Sequence, residues 1–195
     1  MTKAEKTRNF IVEKTAPIFN MKGYAGTSLN DITAATGLTK GSIYGNFANK
    51  DEVALAAFDY NLNRNLSKLE DSSHAAKTTK GKLLAYVQVY REFFNGGISI
   101  GGCPILNTAT DADDTHPALR ERALKAILSW KKQIIKLVDE GISNNEIVRE
   151  VNPEQIALTV IAMIEGGIMI SRLTNKIDHW HLIMDSLKNY INSLG

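Results

Sequence analysis

The stretch from Thr27 to Phe47 leaves the chain little freedom: it reads as two short helices joined by a tight turn. Thr27 or Ser28 can cap the first helix, because a short side-chain oxygen accepts from the free N–H groups of a first turn. Leu29, Ile32 and Ala35 then fall on one helical face. Gly37 follows at once, where a left-handed residue ends a helix. Leu38 packs the turn, and Thr39 caps a second helix whose Ile43 and Phe47 point inward. The outward residues Lys40, Gly41, Ser42, Tyr44, Gly45 and Asn46 are small or carry hydrogen-bonding groups. This is the pattern of a helix-turn-helix, whose second helix can enter a DNA major groove with its first turn toward base edges.

Three blocks make the pattern more specific: Gly23 to Leu29, then Thr36 to Tyr44, then Phe47 with Lys50, Asp51, Glu52 and Val53. They resemble the DNA-binding segment of the TetR (tetracycline-repressor) family of bacterial transcription regulators. The motif-level resemblance covers the first quarter of the chain; the rest fits in length and helical pattern. The resemblance implies that Lys40, Gly41, Ser42, Gly45 and Asn46 face the groove, with Asn46 able to pair with an adenine edge. It also implies that Thr27, Thr39, Tyr44 and Lys50 hold phosphates, which fixes register without reading sequence. A single head contacts few bases, so a homodimer reading a palindromic operator of double-stranded DNA is expected, with half-sites about 34–36 Å apart. The family holds a small-molecule effector in its C-terminal body and moves its DNA heads through the fourth helix.

The charge distribution agrees. Seven lysines and arginines against three acids give residues 1–50 a net +4, while the whole chain carries +2, so the remainder carries −2. One basic end suits phosphates and the other does not. One cysteine excludes an intramolecular disulfide and fits a reducing cytoplasm. The reading expects no signal peptide and no apolar span of ~20 residues, hence a cytoplasmic protein with no membrane partner.

The expected architecture is all-α, about nine helices. Residues 1–47 form the helix-turn-helix domain, and 48–195 the ligand-binding and dimerisation domain. The first helix spans about 4–22, bends near Thr15–Ala16 because of Pro17, and ends at Lys22-Gly23. Asn49 caps a fourth helix (about 49–69) that connects the two domains, and the polar stretch 70–80 is the linker. A fifth helix covers about 78–95, stopped by Asn95, Gly96 and Gly97, before a glycine-rich loop at 98–102. Cys103-Pro104 opens a short helix; residues 111–115 form an acidic turn. Asp114 or Thr115 caps a helix over about 116–141 that Gly141 ends.

Asn152-Pro153 starts a helix that is apolar almost all round, and the last helix, about 177–193, carries a clean apolar stripe. One small body cannot easily bury both. Val160, Ile164, Gly167, Ile168, Trp180, Ile183, Leu187 and Ile191 are therefore expected at a four-helix dimer interface. Gly166-Gly167 in mid-helix would allow close approach of a second chain.

Candidate effector contacts are the aromatic, soft or polar groups on these helices: Tyr86, Tyr90, Phe94, Cys103, Asn107, Thr110, Trp130, Met163 and Glu165. Such a lining would take a flat or apolar molecule with few polar handles. Cys103 at a helix start is a candidate redox or electrophile sensor. His179 and His181 are two apart on a helix and point in different directions, so no metal is expected. Asp111, Asp113 and Asp114 lack the glycine and terminal glutamate of a calcium loop. Nothing assembles acid, base and nucleophile, so no catalytic residue, cofactor or enzyme activity is expected. The expected function is ligand-responsive transcriptional regulation, most simply repression. The alternative is a helical protein-binding or scaffold module with a non-functional head.

Overall fold

The computed structural model describes residues 1–94 and 101–195. Among these there are nine α-helices, a 3-10 turn at Glu92–Phe94 and no strand. The helices are α1 (Lys3–Gly26), α2 (Leu29–Thr36), α3 (Lys40–Tyr44), α4 (Lys50–Ala75), α5 (Thr79–Arg91), α6 (Pro104–Ala112), α7 (Pro117–Ser143), α8 (Pro153–Thr174) and α9 (Ile177–Asn192). The expected stop at Asn95–Gly97 and the loop that follows it, as far as residue 100, lie outside the described residues.

The chain forms two compact units, and the cut differs from the one expected at residue 47. Residues 1–64 and 99–125 make the first; residues 65–98 and 126–195 make the second. In the first unit α6 packs on α1, and α2 packs on both α1 and α3. Its core is Ile11, Ala16, Phe19, Ile32, Ile43, Phe47 and Phe58, all buried. Thr2 and Glu5 form a reciprocal capping box at the start of α1.

Three helix ends differ from expectation. Pro17 sits inside α1 without breaking it; the departure from helical geometry is at Gly23, at φ 69°, ψ 179°. Pro17 lacks an N–H, but its fixed φ is helical, whereas Gly23 occupies a region that side chains disfavour. The polar stretch after residue 69 continues α4 to Ala75, and Thr78 then caps α5 through the Gly81 N–H, so little of it is linker. Gly141 does not end α7, which runs to Ser143. The left-handed residue is Asn145 (φ 58°), while Ile147 packs where a Gly141 Cβ would stand, 2.6 Å away.

In the second unit α9 packs against α8 and α5. Asn152 caps α8 with its side-chain oxygen on the Glu154 and Gln155 N–H groups, and Asn175 in the left-handed region turns the chain toward α9. Among the described residues α8 is the one helix long and apolar enough to cross a membrane by length and composition, contrary to the expectation of no such span. Its Ile156, Val160, Ile161, Ile164 and Ile168 are buried within the unit. Trp180, Met184, Leu187 and Ile191 of α9 are fully buried, each worth roughly 1.5–3 kcal/mol by area. The Trp180 indole N–H donates to the Tyr90 carbonyl at 3.0 Å.

Candidate nucleic-acid interface

The helix-turn-helix is built by short-range chemistry. Ser28 caps α2 in a reciprocal box: its hydroxyl accepts from the Asp31 N–H, and Asp31 accepts from the Ser28 N–H at 2.8 Å. Lys22 Nζ lies 2.6 Å from the same carboxylate. That ammonium first, then the Ser28 hydroxyl and amide, hold Asp31 well below the usual carboxylate range. Gly37 (φ 67°) makes the left-handed turn, and Thr39 caps α3 through the Ser42 N–H at 3.2 Å. Ile43 and Phe47 are buried beneath α3.

Burial sorts the expected DNA contacts. Thr39, Lys40, Gly41, Tyr44 and Gly45 are exposed; Ser42 and Asn46 are half-buried. A Cβ on Gly41 would come no nearer than 4.0 Å, to Thr39 Oγ1, so a surface can approach its backbone. The Asn46 side-chain amide donates to the Ser42 carbonyl at 2.9 Å. Two expectations are corrected. Thr27 is fully buried and its hydroxyl donates to the Gly23 carbonyl at 2.7 Å, so its side chain is a structural pin and does not face phosphate. Lys50 Nζ donates to the Tyr24 and Thr27 carbonyls at 3.0 and 3.1 Å and sits 4.0 Å over the Tyr24 ring. It caps the end of α1.

Arg8, Glu52, Tyr24, Asp51 and His116, for which the sequence predicts no such contacts, complete the head. The Arg8 guanidinium donates to the Asn46 carbonyl and to Glu52 Oε1, each at 2.6 Å, and lies 4.0 Å over the Phe47 ring. Glu52 Oε2 accepts the Ala48 N–H at 2.7 Å. That amide first, then Arg8, lower the Glu52 carboxyl below its ordinary range. Tyr24 donates its hydroxyl to Asp51, which pushes its ionisation up to about 12, aided by burial. His116 meets the Tyr24 ring edge-on at 4.3 Å and places Nε2 3.7 Å from Asp51 Oδ1. His116 Nδ1 accepts the Leu119 N–H at 3.2 Å, so His116 caps α7 in place of the expected Asp114 or Thr115. An alternating pattern would not have found these; only the spatial neighbours reveal them.

The expected effector contacts divide between the units. Tyr86, Tyr90 and Trp130 come together in the second: Trp130 stacks at 6.4 Å on Tyr86 and 5.9 Å on Tyr90, while Phe94 meets Trp180 edge-on at 5.3 Å. Burial pushes the Tyr86 hydroxyl up to about 12, opposed by the nearby Trp130 N–H. That N–H is buried with no hydrogen bond of good geometry among the described residues. Met163 and Glu165 are half-buried on α8. Cys103, Asn107 and Thr110 belong to the first unit. There Asn107 donates to the Asn20 and Gly101 carbonyls, both at 2.9 Å, and the Thr110 hydroxyl donates back into α6. Both are occupied structurally. Cys103 is buried at the start of α6. Asp111, expected in a solvated turn, accepts the Tyr24 N–H.

The expected interface residues other than Ile183 are covered within the chain. Val160, Ile164, Ile168, Trp180, Leu187 and Ile191 are buried within the second unit, and Ile183 is half-buried. A Cβ on Gly167 would meet Trp180 at 2.9 Å and Ile183 at 3.1 Å, so this glycine serves the chain's own α9. The large apolar residues left outside on these two helices are Leu158, Met169, Ile170 and Leu173 on α8 and Ile177 and Leu182 on α9; Leu173 is 85% exposed. Among the described residues no group of three or more His, Cys, Asp or Glu could hold a metal.

A capped helix-turn-helix with an exposed polar second helix, joined to a helical body, defines a DNA-binding regulator. Comparison with known proteins makes the class specific. Residues 11–57 match the family model for bacterial regulatory proteins of the tetR family, and residues 79–187 match the tetracyclin repressor-like C-terminal domain. A TetR-family transcriptional regulator from Cytophaga hutchinsonii is 46% identical, with a TM-score of 0.93 over 100% of this chain and 97% of that one. A TetR regulator from Chloroflexus aurantiacus is 40% identical, with a TM-score of 0.93 over 98% and 96%. The transcriptional repressor DhaR of Mycobacterium sp. strain GP1 is 31% identical over 83% of this chain and 80% of its own length. The chain belongs to the TetR family of transcription regulators. It is a DNA-binding regulator, and the relatives it matches are transcription regulators.

Proposed function

We propose that the protein is a cytoplasmic, homodimeric repressor that reads an inverted-repeat operator with α3 and is released from it by a small molecule. The carrying observation is the face of α3: Lys40, Gly41, Tyr44 and Gly45 stand outward while Ile43 and Phe47 are buried beneath them. On this reading Lys40, Gly41, Ser42, Gly45 and Asn46 meet base edges, and Thr39 and Tyr44 hold phosphates. Lys50 acts through the end of α1, which it caps. DhaR is a repressor by name, which supports repression here.

The exposed positions Leu158, Ala162, Met169 and Leu173 of α8 recur at helical spacing, with the half-buried Gly166 among them. A second copy laid on this stripe would bury it and set two heads at fixed spacing. The stacked Tyr86, Trp130 and Tyr90 support an aromatic effector. An effector that prefers a head spacing mismatched to the grooves by 1.4 kcal/mol lowers operator affinity about tenfold.

The test is selection of bound sequences from a random DNA pool. An enriched inverted repeat with half-site centres about 34–36 Å apart is expected. Enrichment of a lone half-site, or of nothing, overturns the reading.

A further inference from the structure

We infer that Arg8 is a positioning residue for DNA reading: it sets the attitude of α3 from behind and contacts no DNA itself. The inference rests on the proposed use of α3. That helix spans only Lys40–Tyr44, far below the length at which a helix holds itself together. Its direction is therefore set by its cap and by the turn that follows. The turn contains Gly45. The Gly45, Asn46 and Phe47 amides and the Asn46 side chain bond back to carbonyls of residues 41–43, Phe47 is buried, and Asn49 caps α4 through the Glu52 N–H at 2.9 Å; Arg8 is the group that ties the turn to α1.

The guanidinium performs three tasks. One nitrogen donates to the Asn46 carbonyl at the end of the α3 turn, the other to Glu52 Oε1, both at 2.6 Å. Its plane lies 4.0 Å over the Phe47 ring. Glu52 in turn accepts the Ala48 N–H at 2.7 Å. Arg8 and Glu52 thus grip residues 46–48 from both sides. Such a fork needs two donors at fixed angles, which lysine lacks. Both side chains are about 40% exposed, at 38% and 40%, so the ion pair itself adds little to global stability. Its effect is on geometry, and a misaligned reading helix loses base contacts before it loses phosphate attraction.

This separates Arg8 from the other basic residues of the head. A phosphate ligand contributes to binding of every sequence and to the slope of log affinity against log salt, about 0.9 per phosphate. A positioning residue contributes to the preferred sequence alone.

The experiment uses the full chain, its selected operator and a scrambled duplex of equal length, across a salt series. Arg8→Ala is expected to bind the operator on the order of tenfold more weakly, with scrambled-duplex affinity and salt slope unchanged. Arg8→Lys keeps the charge but not the fork and is expected to lose operator affinity too. Amide exchange without DNA is expected to rise at residues 45–49 in Arg8→Ala and not elsewhere in α1 or α4. Equal losses on both duplexes with a slope reduced by about 0.9, no loss in Arg8→Ala, or wild-type binding by Arg8→Lys each overturns the assignment. Should Arg8→Ala fail to fold, Glu52→Gln must show the same operator-only loss. A wild-type chain that does not distinguish the two duplexes refutes the DNA reading itself; unchanged exchange at 45–49 refutes the role of Arg8.

Discussion

Asp111 Oδ2 accepts the backbone N–H of Tyr24 at 2.7 Å, and the carboxylate rests where a side chain on Gly23 would stand. A Cβ on Gly23 would lie 2.5 Å from Asp111 Oδ1, and the residue has φ +69°. Close approach and left-handed geometry both demand glycine there. The end of α1 is shaped to receive an acid from α6, and Asn107 with Asn20 extends the same seam.

Gly23→Ala should therefore destabilise the chain by about 1–3 kcal/mol, from strained backbone and displacement of Asp111. Gly26→Ala is the control, since its Cβ would meet only Lys22 Cβ at an ordinary 3.4 Å. Thermal unfolding distinguishes them. Equal midpoints for the two variants would refute this account of the seam.

The adjacent glycines of α8 give a second contrast. Gly167→Ala would push into Trp180 and Ile183 at 2.9 and 3.1 Å, whereas Gly166→Ala meets nothing within 4 Å. Overpacking should cost Gly167→Ala about 1–3 kcal/mol. Gly166→Ala should gain up to about 1 kcal/mol from helix propensity in the unassociated chain. Denaturant unfolding of dilute protein reads both, and a reversed order would mean that α9 does not pack as described.

These pairs also indicate what a sequence discloses. The helix-turn-helix was legible because its determinants are local: Ser28, Gly37, Thr39 and Asn49 act within three or four residues of themselves. Apolar stripes were legible as stripes but did not name their neighbour. Val160 and Trp180 carry the pattern of an interface, yet α9 and α8 cover each other within one chain. The outward residue is Leu173, which periodicity could not rank above them. Charge was least legible. Arg8 counts only toward the basic charge of the head and Lys50 reads as a phosphate ligand, but their partners include carbonyls 38 and 26 residues away.

Alkaline pH offers a test of the Tyr24–Asp51 bond. The phenol ionises near 10 when free and near 12 in the fold. Folding therefore favours the protonated form, so this contribution is whole below pH 10 and is lost as pH rises through 12. Tyr24→Phe should unfold at a lower temperature than wild type at pH 8, with the gap narrowing between pH 10 and 12. A gap that stays constant over that range would show that the hydroxyl contributes nothing linked to its proton.

The apolar stripe on α8 makes the last prediction. Leu173 is 85% exposed and Leu158 52% exposed, an unfavourable display for a chain alone in water. If a second copy covers them, replacing Leu173 by Asp places an uncompensated charge in the contact, which costs several kcal/mol of association. Leu173→Asp should then sediment as a monomer at concentrations where wild type is a dimer, while its unfolding in dilute solution is unchanged because Leu173 supports no core. Its operator binding should collapse toward that of a single head, since linking two half-sites raises affinity through effective concentration rather than new contacts. A Leu173→Asp protein that remains dimeric would place the second copy elsewhere, and a monomeric wild type would remove it altogether.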